Sequence, residues 1–332
     1  MTAVNRRVRI FASSRRRQPE HRSYATAAAI AVATLTAAAV INRYLANKAE
    51  AANPPVGKFI EVDGVHLHYI EHGTGDPLVL LHGNGSMVED FVSSGLIDLA
   101  AQNYRVLAFD RPGFGHSSRP RGVIWSPDAQ ASLIARALEK LGVRSTLTLG
   151  HSWGASVAVA LALRSPELVT GLVLASGYYY PTVRPVFGVA SIPALPLIGD
   201  IIAWTIAPLF GRLMLPLAEE KIFGPQRPPP KFDRFPKEMA MRPSQQRASA
   251  VDGSLLIPNA VEFQHRYAEL KMPVVIIAGD ADRLIETEKQ SARLHRDISH
   301  SRFHRLSGAG HMIEQTQTDD VMAAIDEAAN LH

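Results

Sequence analysis

The stretch Ser145-Thr146-Leu147-Thr148-Leu149-Gly150-His151-Ser152-Trp153-Gly154, continued by ten residues to Arg164, decides the fold of this chain. Residues 145–150 are short, β-type and bounded by glycine, which reads as a buried strand. Residues 153–164 are alanine, valine and leucine with no breaker, which reads as a helix. The G-x-S-x-G pattern between them is weak alone and gains meaning from that strand-to-helix position. There the glycines let the backbone reverse sharply, Ser152 points out of the sheet edge, and the first NH groups of the helix lie beside it.

A serine hydroxyl is a poor nucleophile at neutral pH. It needs a histidine to take its proton and a carboxylate to fix that histidine's tautomer. Downstream lie Gly279-Asp280-Ala281-Asp282 after one expected strand and Gly308-Ala309-Gly310-His311 after the next. Of the 13 histidines, only His311 sits in a glycine-flanked loop after a late strand. Asp282 is favoured as the acid over Asp280, which would then be a turn carboxylate. Two NH groups should hold the oxyanion: that of Trp153, and that of Asn84 in His82-Gly83-Asn84-Gly85.

Outward from the elbow, short strands alternate with helices. Strands are expected at 58–62, 65–71, 77–82, 105–110, 145–150, 171–177, 273–279 and 301–306. The first two flank Asp63-Gly64, a strong hairpin signal. Helices are expected at 127–141, 153–164, 287–296 and 318–330. The pattern predicts an α/β fold: a mostly parallel sheet with helices on both faces. Its core would be residues 58–177 with 269–332, interrupted by a cap at 178–268. In 186–217 of that cap only Asp200 and Arg212 are charged, and prolines and glycines break the run. It reads as short cap helices, and its apolarity also suits an acyl-binding roof lying against a bilayer.

The N-terminus differs from the rest. Residues 1–50 hold nine arginines and lysines against Glu20 and Glu50, so the net charge of +4 leaves −3 for the other 282 residues. A slightly acidic body argues against a nucleic-acid-binding domain. After a basic segment, 1–22, residues 23–41 carry no formal charge, about 28 Å of helix and close to a hydrocarbon core. A transmembrane signal-anchor over 23–45, followed by a linker at 46–57, is the leading reading. The flanking arginines would put the main body on the non-cytoplasmic side. A cleaved secretory signal (with Ala49-Glu50-Ala51 as a small-x-small site), a mitochondrial-type presequence and a soluble Ala-rich helix compete with it. The 46% apolar content excludes disorder as the dominant state. The absence of cysteine excludes disulfide frameworks, zinc ribbons and a thiol nucleophile.

These motifs resemble, in order and spacing, the α/β-hydrolase superfamily in its branch with an inserted cap. The resemblance covers residues 58–331 and includes Asp110-Arg111-Pro112-Gly113-Phe114-Gly115-His116-Ser117. It implies Ser152, Asp282 and His311 as a catalytic triad, Asn84 and Trp153 as oxyanion-hole positions, and Asp110 and Arg111 as holding loops together. It implies neither metal nor cofactor and is almost silent on substrate; the apolar cap is what points to a lipophilic ester. Asn84 beside Trp153 also resembles haloalkane dehalogenases, but those use an aspartate nucleophile: a carboxylate on an alkyl carbon gives a cleavable ester, whereas serine would give a dead-end ether. Cofactor-free perhydrolases and carbon–carbon bond hydrolases share the serine triad and stay open, as does a non-catalytic ligand-binding member of the fold.

Two clusters are ambiguous. His66, His68 and His72 near the hairpin read as an exposed polar strand face rather than a metal site. Tyr178-Tyr179-Tyr180 either lines the pocket or packs the hinge of the cap.

Overall fold

The structure, a computed structural model, describes residues 20–182 and 197–331. The basic segment expected at 1–22 therefore lies almost wholly outside the described residues, as do residues 186–196 of the apolar cap stretch. Eight strands form one sheet, β1 (Lys58–Val62), β2 (Val65–His72), β3 (Asp76–Leu81), β4 (Tyr104–Phe109), β5 (Thr146–His151), β6 (Val169–Ala175), β7 (Val274–Gly279) and β8 (Arg302–Leu306). Their order is β1-β2-β4-β3-β5-β6-β7-β8. Only β2 is antiparallel to its neighbours; every later pair is parallel. The hairpin turn has φ of 49° at Asp63 and 75° at Gly64, the two positive values the dipeptide predicts.

The described helices are α1 (Glu20–Ala52), α2 (Glu89–Ser94), α3 (Leu96–Ala100), α4 (Pro127–Lys140), α5 (Trp153–Arg164), α6 (Ile198–Thr205), α7 (Ala207–Phe223), α8 (Lys237–Ala240), α9 (Pro243–Phe263), α10 (Ser291–Asp297), α11 (Ile313–Thr316) and α12 (Thr318–Asn330). Side chains alternate across each strand. Leu78 and Leu80 of β3 belong to a buried cluster with α3 and α12, while Val79 and Leu81 belong to the cluster on the other face, with α4, α5 and α10. Both faces of the sheet are thus covered, which is why β5 and β7 are buried along their whole length. α4 begins where the sequence says it should: Ser126 Oγ accepts the NH of Ala129 at 3.2 Å and Pro127 opens the first turn.

Between β6 and β7 the described chain is helical, with α6 to α9 lying over the C-terminal edge of the sheet. α6 and α7 meet at a 60° bend. Pro216 lies inside α7 rather than ending it, since a proline removes one helical hydrogen bond and a packed helix survives that loss. The cap is riveted to the core by a buried ion pair: Arg111 Nη1 lies 2.6 Å from Asp252 Oδ2 in α9, and Arg119 Nη2 lies 2.9 Å from the other oxygen.

The N-terminal helix corrects one boundary. The segment expected as a linker at 46–57 is helical as far as Ala52, because its alanines and lysine are good helix formers and the break comes only at Asn53-Pro54-Pro55. Its last turns pack on the cap, where Ala49 is buried and Glu50 Oε1 accepts from Arg242 Nη1 at 2.8 Å. The stretch Tyr24–Ala52 is long and apolar enough to cross a membrane, a property that signal sequences near an N-terminus share.

Candidate active site

Ser152 stands between β5 and α5 with φ 52° and ψ −115°. A residue with a Cβ held in such a sparsely populated region stores roughly 1–3 kcal/mol, supplied by the packing around it. Its NH donates to Ala175 O of β6 at 2.8 Å, which pins the elbow to the sheet. The two glycines of the motif are required by contact. A Cβ on Gly150 would lie 2.3 Å from Gly154 O, and one on Gly154 would lie 2.0 Å from Leu81 O. The helix therefore sits directly against the strand ends, and the serine is pushed out of the edge.

Both downstream loops reach the same edge. His311 Nδ1 donates to Asp282 Oδ2 at 2.7 Å, with both side chains at most 3% exposed. Asp282 is fixed in turn by its other oxygen, which accepts the NH groups of Leu284 and Ile285 at 2.7 and 2.8 Å. Asp280 faces away and accepts the NH of Gly308 at 2.7 Å, a turn carboxylate. With its Nδ1 proton committed to Asp282, His311 presents Nε2 as the free base. Ser152 and His311 line one cavity, and no hydrogen bond joins them. Such contacts often close only around a substrate.

The main chain of His311 is held as firmly as its ring. Its NH donates to Ile222 O at the end of α7 at 3.0 Å, and its carbonyl accepts from His151 Nε2 at 3.1 Å. Gly310 precedes it because a Cβ there would sit 2.6 Å from Phe223 O of the cap. His151 is fully buried, and burial with His311 nearby holds its imidazole well below the usual range, so it is neutral. Glu314 Oε1 lies 3.1 Å from His151 Nδ1. Burial, with the Asp90 charge adding to it, pushes the Glu314 carboxyl well above the usual carboxylate range. The sequence reading missed this group, since neither Asp90 nor Glu314 carries a motif and they are distant in the chain. Asp90, His151 and Glu314 bring ligand-type atoms within 4.8 Å of one another. Burial raises Asp90 as well, and its oxygens already accept from Ser86 Oγ and Gln315 Nε2. The cluster is a buried layer of ionisable groups behind the histidine.

On the opposite wall, Gly83, Asn84 and Trp153 line the cavity. The NH of Trp153 opens α5, where the first helical NH groups have no acceptor of their own. The Asn84 side chain reaches across to the cap, donating to Ser249 O at 3.0 Å, and the preceding Gly83 lies against the elbow, where a Cβ on it would sit 3.1 Å from Ser152 Cβ. His82 supports this loop: it donates to Gly83 O, accepts the NH of Arg111 at 3.0 Å, and burial lowers its pKa to about 3. Arg111 also donates to the carbonyls of His82 and Gly83, the loop-holding role that the family resemblance implies.

The cavity measures about 810 Å³ and is roofed by the cap: Ile202 from α6, Ile206 at the bend, Phe210, Leu215 and Ile222 from α7, and Leu256 from α9. The tyrosine triplet divides its labour. Tyr178 lines the cavity, whereas Tyr179 and Tyr180 are buried in the core, where both their NH groups donate to Gln290 Oε1. The histidine cluster needs a correction. His66 is exposed as expected, but His68 is fully buried, because the loop from Asp110 to Ser118 folds over it. Asp110 Oδ2 accepts from His68 Nδ1 at 2.7 Å and Ser117 Oγ accepts its NH at 2.9 Å.

Comparison with known proteins agrees with this construction. A family model described as alpha/beta hydrolase fold matches residues 76–313. Haloalkane dehalogenase 2 of Mycobacterium tuberculosis is 33% identical over 115 residues, which are 35% of this chain and 40% of that protein, so the match spans less than half of that relative. The 2-hydroxy-6-oxo-2,4-heptadienoate hydrolase of Pseudomonas putida is 24% identical over 282 residues, covering 83% of this chain and 96% of the relative. Among solved structures, a membrane phospholipase A described as a bacterial virulence factor superposes with a TM-score of 0.64 at 19% identity, over 93% of this chain and 98% of that one, a likeness of fold. The family match runs from β3 into α11 and so takes in the elbow, the acid loop and the histidine loop together: the chain belongs to the α/β-hydrolase family.

Proposed function

We propose that the protein is a membrane-anchored serine hydrolase that cleaves carboxylic esters with an apolar acyl part. The observation that carries this reading is the His311–Asp282 pair sharing a cavity with a serine on a strained elbow. Ser152 Oγ attacks the ester carbonyl and His311 Nε2 takes its proton. The NH groups of Trp153 and Asn84 hold the oxyanion, and Asp282 stabilises the imidazolium. As the tetrahedral centre collapses, the C–O bond to the alcohol breaks and His311 returns the proton to the leaving oxygen. Water, deprotonated by His311, then frees the acid from Ser152. The apolar roof favours an acyl chain over a charged substrate, and no step calls for a metal or cofactor.

The anchor reading rests on α1. Its last turns are packed on the cap through Ala49 and Glu50, so the small-x-small site at 49–51 lies within a helix that contributes to the folded enzyme, a poor substrate for a signal peptidase. The arginines before it support a catalytic unit on the non-cytoplasmic side. A secreted, periplasmic or mitochondrial location is the alternative.

The test is hydrolysis of p-nitrophenyl esters from acetate to palmitate by the full chain in detergent. Ser152→Ala should lower kcat by at least about 10⁴-fold while its melting temperature stays that of the parent. Equal turnover by the variant overturns the mechanism. A carbon–carbon hydrolase, the reading suggested by the Pseudomonas putida relative, would ignore these esters and bleach a coloured vinylogous diketo acid in a Ser152-dependent way.

A further inference from the structure

The cap has two faces, and both are apolar. Along α7, Gly211, Leu215, Ala218 and Ile222 recur every three or four residues and line the cavity. Leu209, Leu213 and Leu217 recur every four on the outer side, with Leu213 74% exposed. Ile206 and Phe210 belong to both: they line the cavity, yet are 53% and 57% exposed, so the cavity and the outer apolar face meet at the bend between α6 and α7. Ile198 and Ile201 extend that face along α6. Isolated exposed leucines are ordinary, but a contiguous apolar face on two adjoining helices marks a surface that is covered in use.

The N-terminal helix says by what. Asn42 of α1 is fully buried, and its Nδ2 donates to the carbonyls of Trp204 and Thr205 at 3.1 and 2.7 Å, at the C-terminal end of α6. From Asn42 onwards α1 packs on the cap. Before it, residues 24–41 are almost all exposed, among them Ile30, Val32 and Val40. Those 18 residues make about 27 Å of helix, the thickness of a hydrocarbon core. The point where α1 leaves the protein is therefore the same point where the apolar cap face begins.

We propose that the outer face of α6 and α7 is seated in the bilayer that α1 crosses, and that the bend at Ile206 and Phe210 is a lateral doorway through which a membrane-resident acyl ester slides from the leaflet to Ser152. The proposal rests on the ester-hydrolase and anchor readings and deepens them: the substrate class becomes a lipid ester that need not enter water. A substrate held in one leaflet can feed its chain along the apolar roof while its ester linkage stays near the polar interface.

The experiment uses the full chain reconstituted in phosphatidylcholine vesicles, with flotation checking that it stays with the lipid. Because the chain has no cysteine, Leu213→Cys can carry a single environment-sensitive fluorophore, with Glu139→Cys, exposed at the far end of α4, as the control. Lipids brominated in the upper acyl chain should quench the Leu213 probe and not the control. In parallel, Leu213→Glu with Leu217→Glu, neither of which lines the cavity, should leave kcat/KM for p-nitrophenyl butyrate in detergent within twofold of the parent. Hydrolysis of a diacyl ester carried in the vesicles should fall at least tenfold. A blue-shifted probe that bromine does not quench would mean that protein, from residues 183–196 or a second copy, covers the face, and overturns the proposal. An equal loss on both substrates overturns the doorway. If no ester is cleaved in a Ser152-dependent way, the hydrolase reading fails, while the quenching still decides the docking.

Discussion

On the core side of the cavity Ser152, His151 and His311 are each held by main-chain or buried hydrogen bonds, whereas on the cap side α6 and α7 meet the same cavity with isoleucine, leucine and phenylalanine. The difference separates two kinds of requirement. Reaction chemistry needs groups fixed to within a fraction of an ångström, and directional bonds to a rigid sheet edge supply that. Recognition of a flexible acyl chain needs volume and apolarity, which are non-directional. The two sides are joined by directional bonds, among them the buried Arg111–Asp252 pair, the bond from Asn84 Nδ2 to Ser249 O and that from His311 NH to Ile222 O.

The sharpest way to break the core side is Asp282→Asn. The amide keeps the size of the carboxylate but offers its NH₂ to His311 as readily as its oxygen, so Nδ1–H is no longer the enforced tautomer and the imidazolium loses its counter-charge. We expect kcat to fall by roughly 10⁴-fold on every chain length alike, with the fold retained. Asp280→Asn, which touches only the Gly308 turn, should stay close to the parent. If the two variants fall equally, the assignment of the acid is wrong.

The cap side should break differently. Leu215→Trp fills part of the roof without touching the elbow. We expect a loss that grows with chain length, of about tenfold by decanoate and less at acetate, with the preferred ester becoming shorter. A uniform loss along the series would mean that the roof is not where the acyl chain lies.

The same contrast explains what was legible in the sequence. The core side leaves marks because close backbone approach admits only glycine: Gly150 beside Gly154 O and Gly310 beside Phe223 O are steric necessities that recur as motifs. Strand–helix alternation around them gave the sheet, and its parallel order follows. Three things were not legible. His68 is buried by a loop that folds over it, so its alternation with His66 misleads. The partner of Arg111 is Asp252, 141 residues away in a helix with no motif. The docking of the last turns of α1 on the cap, through Glu50 and Arg242, leaves no local pattern. The roof of the cavity has composition but no spacing signature, because apolar contacts can be made by many residues in many orders.

The smallest expected effect concerns the layer behind His311. Glu314 is buried against His151, and its carboxyl holds its proton to a higher pH in the folded chain than in the unfolded one, where it titrates near 4.5. Above that point the folded state binds more protons than the unfolded state, so stability falls as pH rises, by at most about 1.4 kcal/mol per unit while Glu314 alone keeps its proton. The contribution is complete in acid and lost on the alkaline side. Glu314→Gln replaces the neutral acid by a neutral amide of the same shape and removes the titration. It should match the parent at pH 5 and exceed it at pH 8, read as a melting-temperature difference that widens with pH. A difference that stays constant across that range would show that Glu314 is ionised in the fold, and that His151 must then carry the compensating charge beneath His311.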